Sequence, residues 1–573
     1  MGNTTSELQQ ATDEVQQEVE QEAAAAAQPE AAPGIKLYQF IKAGSGGKWE
    51  LTSSRACPGF YDANEDARGK QPDFWLEVDA GDIDTRADDA LSYVADPAAR
   101  RVTFAANEGL WALKFPSAES YRAFMTELED DVFQNTYGFG RDSAKADKEL
   151  GDFKNLFFNA DASAAAAPME VDATPDRPAR GEMREKATPA KTGTPIEGMI
   201  IGANSNTYLR RGATFDVMRN VEAGVEDTGI AFSFTPLKRG GPPGTPGTPS
   251  FTPGKVLLAN GETRMNMLSP GLDNTKLFHA DVEYQKIVSE WTFQKDTVDI
   301  PQADIAHDHK AAQLEDGTNT LLGLDANRLC KWDLRDPRGV VQEAGDASPI
   351  VQWTGGKDFA RGTNFSCMAT SGAGHVVVGS RDGKIRLYSS KTLTQAKTSI
   401  PGLGKPITAV DVTYDGSWVL ATTDDYLMVV KAAFSDEDGK ERSAFTDKGA
   451  GRLALPRLLR LKPEDRLATG GKPLKSGRFT WVTEAGSQER WVVASCGKHT
   501  VIWNFRRVKS AVSSSTSFGG LPTVMDYVLN AKDEDVVDSN FMHDRYAPIS
   551  GGARGDALVV ATPHKVFTLA GED

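Results

Sequence analysis

The stretch HVVVGSRDGKIRLYSS, residues 375–390, decides how the chain is read. An apolar run, Val376 to Val378, leads into the small Gly379 and Ser380, a polar turn through Lys384, and a second run reaching Leu387 and Tyr388. Two short strands joined by a turn rich in Gly and Asp form a β-hairpin. The pattern returns in NTLLGLDANRLCKWDL (319–334), WVLATTDDYLMVVKA (418–432), RWVVASCGKHTVIWNF (490–505) and DALVVATPHKVFTLA (556–570). Looser copies lie upstream, in NTYLRRGATFDVMRN (206–220) and RMNMLSPGLDNTKLFHADVE (264–283). One such hairpin cannot bury both faces alone. Repetition at intervals of roughly 40–75 residues therefore points to a β-propeller, and the seven copies to seven blades with loops of uneven length.

The blades are of a divergent WD-repeat-like kind. Trp332-Asp333 is a literal WD dipeptide closing a strand, and ITAVDVTYDGSWVLATTDD (407–425) passes from an alternating strand through the Asp415-Gly416 turn into the next. The Gly-His element that usually precedes such a blade is mostly missing, so hydrogen-bonded His-Ser-Asp-Trp tetrads are not assumed.

Upstream, residues 34–140 read as a second, smaller domain. IKLYQFIKAG, KWELTSS, DFWLEVDA, LSYVAD, RRVTFAA and GLWALKF are strand-like runs separated by Gly, Asp, Asn and Pro. Ser117 can then cap a helix whose Tyr121, Phe124, Met125, Leu128 and Val132 form one apolar stripe. Strands closed by one amphipathic helix resemble the pleckstrin-homology superfold. In domains of that kind that bind phosphoinositides, the first hairpin is basic; here it is KAGSGGK, offering only Lys42 and Lys48. A protein-binding or packing module is the plainer expectation.

The remaining segments read as tail and linker. Residues 1–33 are acidic and Ala-rich, and MGNTTS places Gly2 and Ser6 as an N-myristoylation signal requires. One acyl chain beside Glu7, Asp13 and Glu14 implies only weak, reversible membrane contact. Residues 141–195 read as a disordered linker, and 236–253 as a Pro/Gly/Thr-rich insert in a propeller spanning 196–573. Both carry Thr-Pro steps, at Thr174, Thr188, Thr194, Thr235, Thr245, Thr248 and Thr252, which proline-directed kinases could modify without disturbing a core.

Composition narrows the function. Across 573 residues, 64 Lys+Arg stand against 80 Asp+Glu, a net charge of −16, which disfavours generic nucleic-acid binding. Cys57, Cys330, Cys367 and Cys496 have no metal or redox spacing and read as reduced thiols. GSRDGK at 379–384 fails the phosphate-loop spacing, and His307 and His309 in AHDHK read as a solvated loop, not a metal site. No catalytic, cofactor or metal residues are assigned. Paired arginines occur in Leu209-Arg210-Arg211-Gly212 and Phe505-Arg506-Arg507-Val508, each an imperfect version of the Phe-Arg-Arg-Gly motif of lipid-binding propellers.

EWTFQKDTVDIPQADIAHD (290–308), KAAQLEDGTNTLLGLDANRLCKWDLRDPRGVVQ (310–342), RGTNFSCMATSGAGHVVVGSRDGKIRLYSS (361–390) and KPITAVDVTYDGSWVLATTDDYLMVV (405–430) carry a resemblance. Together they are similar to the C-terminal domain of the vacuolar import and degradation protein family, Vid-twenty-seven type. The likeness is close through 286–431 and looser through 490–505, and GLWALKF with the helix ending FQNTYG resembles that family's pleckstrin-like module. The resemblance implies a cytoplasmic, non-enzymatic scaffold or adaptor in vacuolar import and degradation or endomembrane protein turnover. It would bind proteins through propeller loops, need no cofactor, and sit in part peripherally on endomembrane or vacuolar membrane. Two alternatives are a phosphoinositide-recruited propeller using Arg210 and Arg211 or Lys42 and Lys48, and a propeller-based enzyme.

Overall fold

The computed structural model describes residues 34–43, 46–65, 71–150, 183–189, 193–222, 224–234, 252–268, 274–317, 319–334, 350–359, 362–436, 438–449, 452–484, 488–511, 521–543, 546, 549–550, 553–554 and 556–571. They fall into two compact units.

The larger unit is built from the hairpins. Each of the seven quoted copies is the central strand pair of an antiparallel sheet, here numbered I to VII in chain order. The first strands are Gly198–Ile201, Lys255–Ala259, Asp304–His307, Phe365–Thr370, Ala409–Val412, Leu474–Phe479 and Asp538–Phe541. Each packs against the next, and the strand Asp538–Phe541 of sheet VII packs against Gly198–Ile201 of sheet I. The circuit closes. Sheets II and III are also joined at their outer strands by a short parallel pairing of Thr292 and Phe293 with Ile350 and Val351.

The apolar runs of the hairpins follow from this stacking. In sheet VII, Ala557 and Val559 pack towards sheet I, beside Met199, Leu209 and Met218. Leu558 and Val560 pack the other way, beside Val493 and Ile502 of sheet VI. Successive strand residues point to opposite faces. A strand buried on both faces must therefore be apolar at every position, and the usual alternation vanishes. The small residue before each turn has a steric cause where Gly379 stands: an added Cβ would lie 2.7 Å from Cys367 Sγ and 2.6 Å from Ile407. Gly383 then turns the chain with φ +80°, a conformation a side chain would disfavour.

The reading of 141–195 as a disordered linker needs correction at both ends. Ser143 caps the helix Ala144–Glu149, and Ala146 and Leu150 pack with Phe133 and Phe139, so the smaller unit continues to residue 150. Met183–Pro189 is a strand, paired antiparallel with Lys565–Gly571 from Met183↔Gly571 to Pro189↔Lys565. It is the fourth, outer strand of sheet VII. Its sequence, MREKATP, carries almost no apolar signal because Glu185, Lys186 and Ala187 are exposed. Main-chain hydrogen bonds, not burial, place it.

The smaller unit contains the strands Ile35–Ala43, Gly46–Ala56, Val94–Asp96, Arg101–Ala106 and Gly109–Lys114 in one sheet, and Pro58–Asp62, Phe74–Val78 and Ile83–Arg86 in another. The helix Ala118–Tyr137 starts at a capping box of Ser117 and Ser120 and buries Tyr121, Phe124, Leu128 and Val132. Phe124 meets Phe60 and Phe115. Asn135 completes the strand pattern by accepting from Phe74 N and donating to Phe74 O and Ala87 O, each at 2.8–2.9 Å. The domain boundaries read from sequence also change here. Residues 457–472 and the described part of 511–525 belong to this unit, not to the larger one. Within it the helix Pro463–Ala468 packs on the strands Arg101–Ala106 and Gly109–Lys114, and Leu458 and Leu459 pair in parallel with Thr523 and Val524.

Closure of sheet VII has a side-chain lock. Lys532, whose side chain is 0% exposed, reaches Glu185 of the outer strand at 2.8 Å and lies 4.5 Å from the centre of the Phe567 ring. Its ammonium also donates to Asn530. Lys532→Ala should destabilise the larger unit by about 2–3 kcal/mol, because a buried ion pair loses one partner. Thermal unfolding measures the loss, and hydrogen exchange should speed up first in residues 183–189.

Candidate functional site

Two features of the larger unit are candidates: the polar circuit along its first strands and a groove between sheets I and II. The circuit is made of cross-sheet bonds. Lys255 meets Asp304 at 3.2 Å, Thr370 donates to the His307 carbonyl at 3.1 Å, and Arg478 meets Asp538 at 3.4 Å. Asp411 accepts from Lys310 at 3.1 Å and from the Phe479 main chain at 2.9 Å. These charges are spent on joining one sheet to another. They form a structural girdle, not a convergent set of acids and bases around an open position.

The AHDHK segment is the densest part of that girdle, which corrects its reading as a solvated loop. His307 belongs to the first strand of sheet III, and burial pushes its imidazole down to about 4. Asp308 accepts from His309 Nδ1 at 2.8 Å, from Lys331 at 3.1 Å and from the Thr320 hydroxyl. Burial alone would raise its carboxyl, but these three donors overcome it and hold the group well below the usual carboxylate range. His309 Nε2 also meets Glu315 at 3.0 Å. Its imidazole is raised above 6.5, first by the bond to Asp308, against a partial cost of burial, and then by Glu315.

The sequence-derived candidates do not come together. Gly2, Thr174, Thr235, Thr245 and Thr248 lie outside the described residues. Thr252 is half-buried just before sheet II, and Thr188 is half-buried in the closing strand opposite Val566. Thr194 is exposed, and its carbonyl accepts from Arg211 Nη1. Lys42 and Lys48 are exposed on the first hairpin of the smaller unit, where Lys48 pairs with Glu50 at 2.7 Å, a bond that raises its ammonium.

The paired arginines are corrected as a lipid grip. Adjacent strand residues face opposite ways. Arg210 is held by Glu197 at 3.0 Å, and Arg211, with a side chain only 6% exposed, is held by Asp216 at 2.7 Å. The second pair lies on the short helix Phe505–Ser510, where Arg507 is bound to Asp526. Among the cysteines, Cys330, Cys367 and Cys496 are buried, and burial pushes the Cys367 thiol up to about 12.

The sequence reading missed the groove, which holds about 290 Å³. Its floor is one face of sheet I, where Tyr208 pairs with Val217 and Phe232 lies beside them. The outer strand Gly224–Ser233 has extra residues between Asp227 and Ala231, facing the Met218 to Asp216 step. Such a bulge re-aims side chains, and here Ile230 is left 51% exposed on the rim. The opposite wall is two hairpin turns of sheet II, bringing Glu262 and Thr263 from one and Val282, Glu283 and Gln285 from the other. Glu262 holds φ +68°, a strained angle for a side-chain-bearing residue. Its carboxylate fixes that turn by accepting from the main chain of Ala203 and Asn204 and from Gln313.

Comparison with known proteins adds the family context. The family model described as the VID27 C-terminal WD40-like domain matches residues 203–566. A second, described as a domain of unknown function, DUF7135, matches residues 4–149. Vacuolar import and degradation protein 27 of Schizosaccharomyces pombe is 30% identical over 322 residues, covering 54% of this chain and 36% of that relative. The protein of the same name from Saccharomyces cerevisiae is 27% identical over 299 residues, covering 52% of this chain and 35% of that one. The chain thus spans about a third of the length of the curated relatives it matches. Among solved structures, the β-propeller domain of Myceliophteria thermophila Cps50 (Swd1) aligns with TM-score 0.43 and 11% identity over 68% of this chain and 100% of that one.

The raised imidazole of His309 gives a pH signature of defined sign. A group whose folded pKa exceeds its unfolded value stabilises the fold fully below the unfolded value of 6.5 and loses that contribution as pH rises through the folded one. His309→Gln should therefore lower the melting temperature most near pH 6 and least near pH 9. Melting curves of both proteins across that range would show the gap narrowing as pH rises.

Proposed function

From the premise that the chain belongs to the VID27 family, whose WD40-like domain covers residues 203–566, we propose that it is a non-enzymatic protein-interaction scaffold in vacuolar import and degradation or endomembrane protein turnover. One observation carries the reading. The first strands of sheets I to VII pack in a closed circuit, and charged side chains on or beside them are engaged in ion pairs that join sheet II to III, III to V and VI to VII. That supports a seven-bladed propeller, a rigid ring whose polar chemistry is internal and whose loops and edges remain for partners. Fold alone names no partner. The names of the yeast relatives supply the process.

The smaller unit fits the same reading as a pleckstrin-homology-like module, with two sheets and a closing helix around Phe124. Its exposed Lys42 and Lys48 do not make a dense basic patch, since Lys48 is already paired with Glu50. Membrane contact is then weak, reversible and carried by myristoylated Gly2, placing the protein in the cytoplasm and in part on endomembrane or vacuolar surfaces. Among the described residues no helix is long and apolar enough to cross a membrane.

The test fuses the intact chain and a Gly2→Ala variant to a proximity-labelling enzyme in cells, with membrane fractions collected in parallel. The expected outcome is a reproducible set of vacuolar or endomembrane neighbours, with the variant reduced in the membrane fraction and retaining its soluble neighbours. Absence of any reproducible neighbour from the intact chain would remove the scaffold reading.

A further inference from the structure

The groove between sheets I and II has the chemistry of a peptide site. Its floor is apolar, with Tyr208, Val217 and Phe232 buried, and Ile230 and Val282 stand at its sides. Burial raises the Tyr208 phenol to about 12, so the floor stays neutral at cellular pH. Its charge is of one sign: Glu262 and Glu283 line it, and among the described residues no Lys or Arg does. Tyr284, 70% exposed on the same turn as Glu283, extends the rim with a large side chain. An exposed aromatic beside an apolar slot is the composition that recurs at binding hot spots.

We propose that this groove binds an extended segment of a partner protein that presents an aliphatic or aromatic side chain beside a lysine or arginine. The apolar side chain fills the slot over Tyr208, Val217 and Phe232, and the cation meets the acidic wall at Glu283. Charge complementarity selects this occupant. An acidic or phosphorylated segment would face like charge at Glu262 and Glu283, and such juxtaposition costs specificity and encounter rate alike. Nucleic acid and anionic lipid are disfavoured for the same reason. The floor is preorganised, because the carboxylate of Glu262 clamps its turn to the loop of sheet I through Ala203 and Asn204 and to Gln313 in the connection between the first two strands of sheet III. A rigid slot reduces the ordering cost of binding.

This inference rests on the scaffold reading and deepens it, so its test is separate. A random dodecamer peptide library is selected on the full chain, and enriched peptides are measured by fluorescence polarisation against the unaltered protein, Ile230→Asp, Glu283→Lys and the remote control Lys42→Glu. The expected enrichment is an apolar residue flanked by Lys or Arg, with affinity falling by about tenfold or more in the two groove variants. Lys42→Glu should bind unchanged, and raising salt should weaken binding because the cation sits at an exposed acidic rim. Glu283→Lys alters an exposed turn residue, so it carries the test even where Ile230→Asp unfolds. Enrichment of acidic or uncharged peptides, equal binding by Glu283→Lys, or no enrichment at all would overturn the proposal. With proximity neighbours still present, that failure would leave the scaffold reading standing on another surface.

Discussion

The pairing of Met183–Pro189 with Lys565–Gly571 is the constraint on which the larger unit depends. A ring of stacked sheets has no natural first or last member. Without the outer strand, the backbone groups of Lys565–Gly571 would face outward unpaired, an exposed edge open to aggregation. The chain solves this by lending residues from the start of the unit to its final sheet. Burial of Lys532 against Glu185 and Phe567 then makes the loan specific, since a buried charge tolerates one register and penalises a slipped one.

The inner circuit serves the same end from the other side. Apolar faces hold consecutive sheets together without direction, whereas Lys310–Asp411, Lys255–Asp304 and Arg478–Asp538 fix which strand meets which. Hydrogen bonds between neutral donors and a charged acceptor, as at Asp308 and Glu262, add geometry to that selection. A ring so restrained is stiff where the sheets meet and variable where hairpin turns project. The groove arises at such a place, where a bulge in sheet I confronts two turns of sheet II.

Much of this was legible in the residues. The central strand pair of every sheet announced itself because it is buried on both faces, giving unbroken runs such as Val376–Val378 and Ala557–Ala561. The Ser117 cap and the stripe through Tyr121, Phe124, Leu128 and Val132 were equally plain. The outer strand Met183–Pro189 was not, because exposed polar residues held by main-chain bonds look like a linker. Nor were the strands Pro58–Asp62 and Ile83–Arg86, short and half-exposed. Arg210 and Arg211 looked like a matched pair because sequence adjacency hides the strand pleat, which turns one to Glu197 and the other to Asp216. The groove had no local signature at all, since its walls are separated by dozens of residues and meet only through sheet stacking.

The smaller unit joins residues 34–150 to 457–472 and part of 511–525, and sheet VII joins 183–189 to 565–571. Both assemblies must wait during synthesis. At ribosomal rates of about 5–20 residues per second, the interval between making residue 150 and residue 472 is on the order of tens of seconds. Through that time the faces of Arg101–Ala106 and Gly109–Lys114 that receive the helix Pro463–Ala468 are without it. Nascent chains of this protein should therefore be long-lived clients of the chaperones that attend the ribosome. Neither unit can finish until the later segments it borrows have left the exit tunnel.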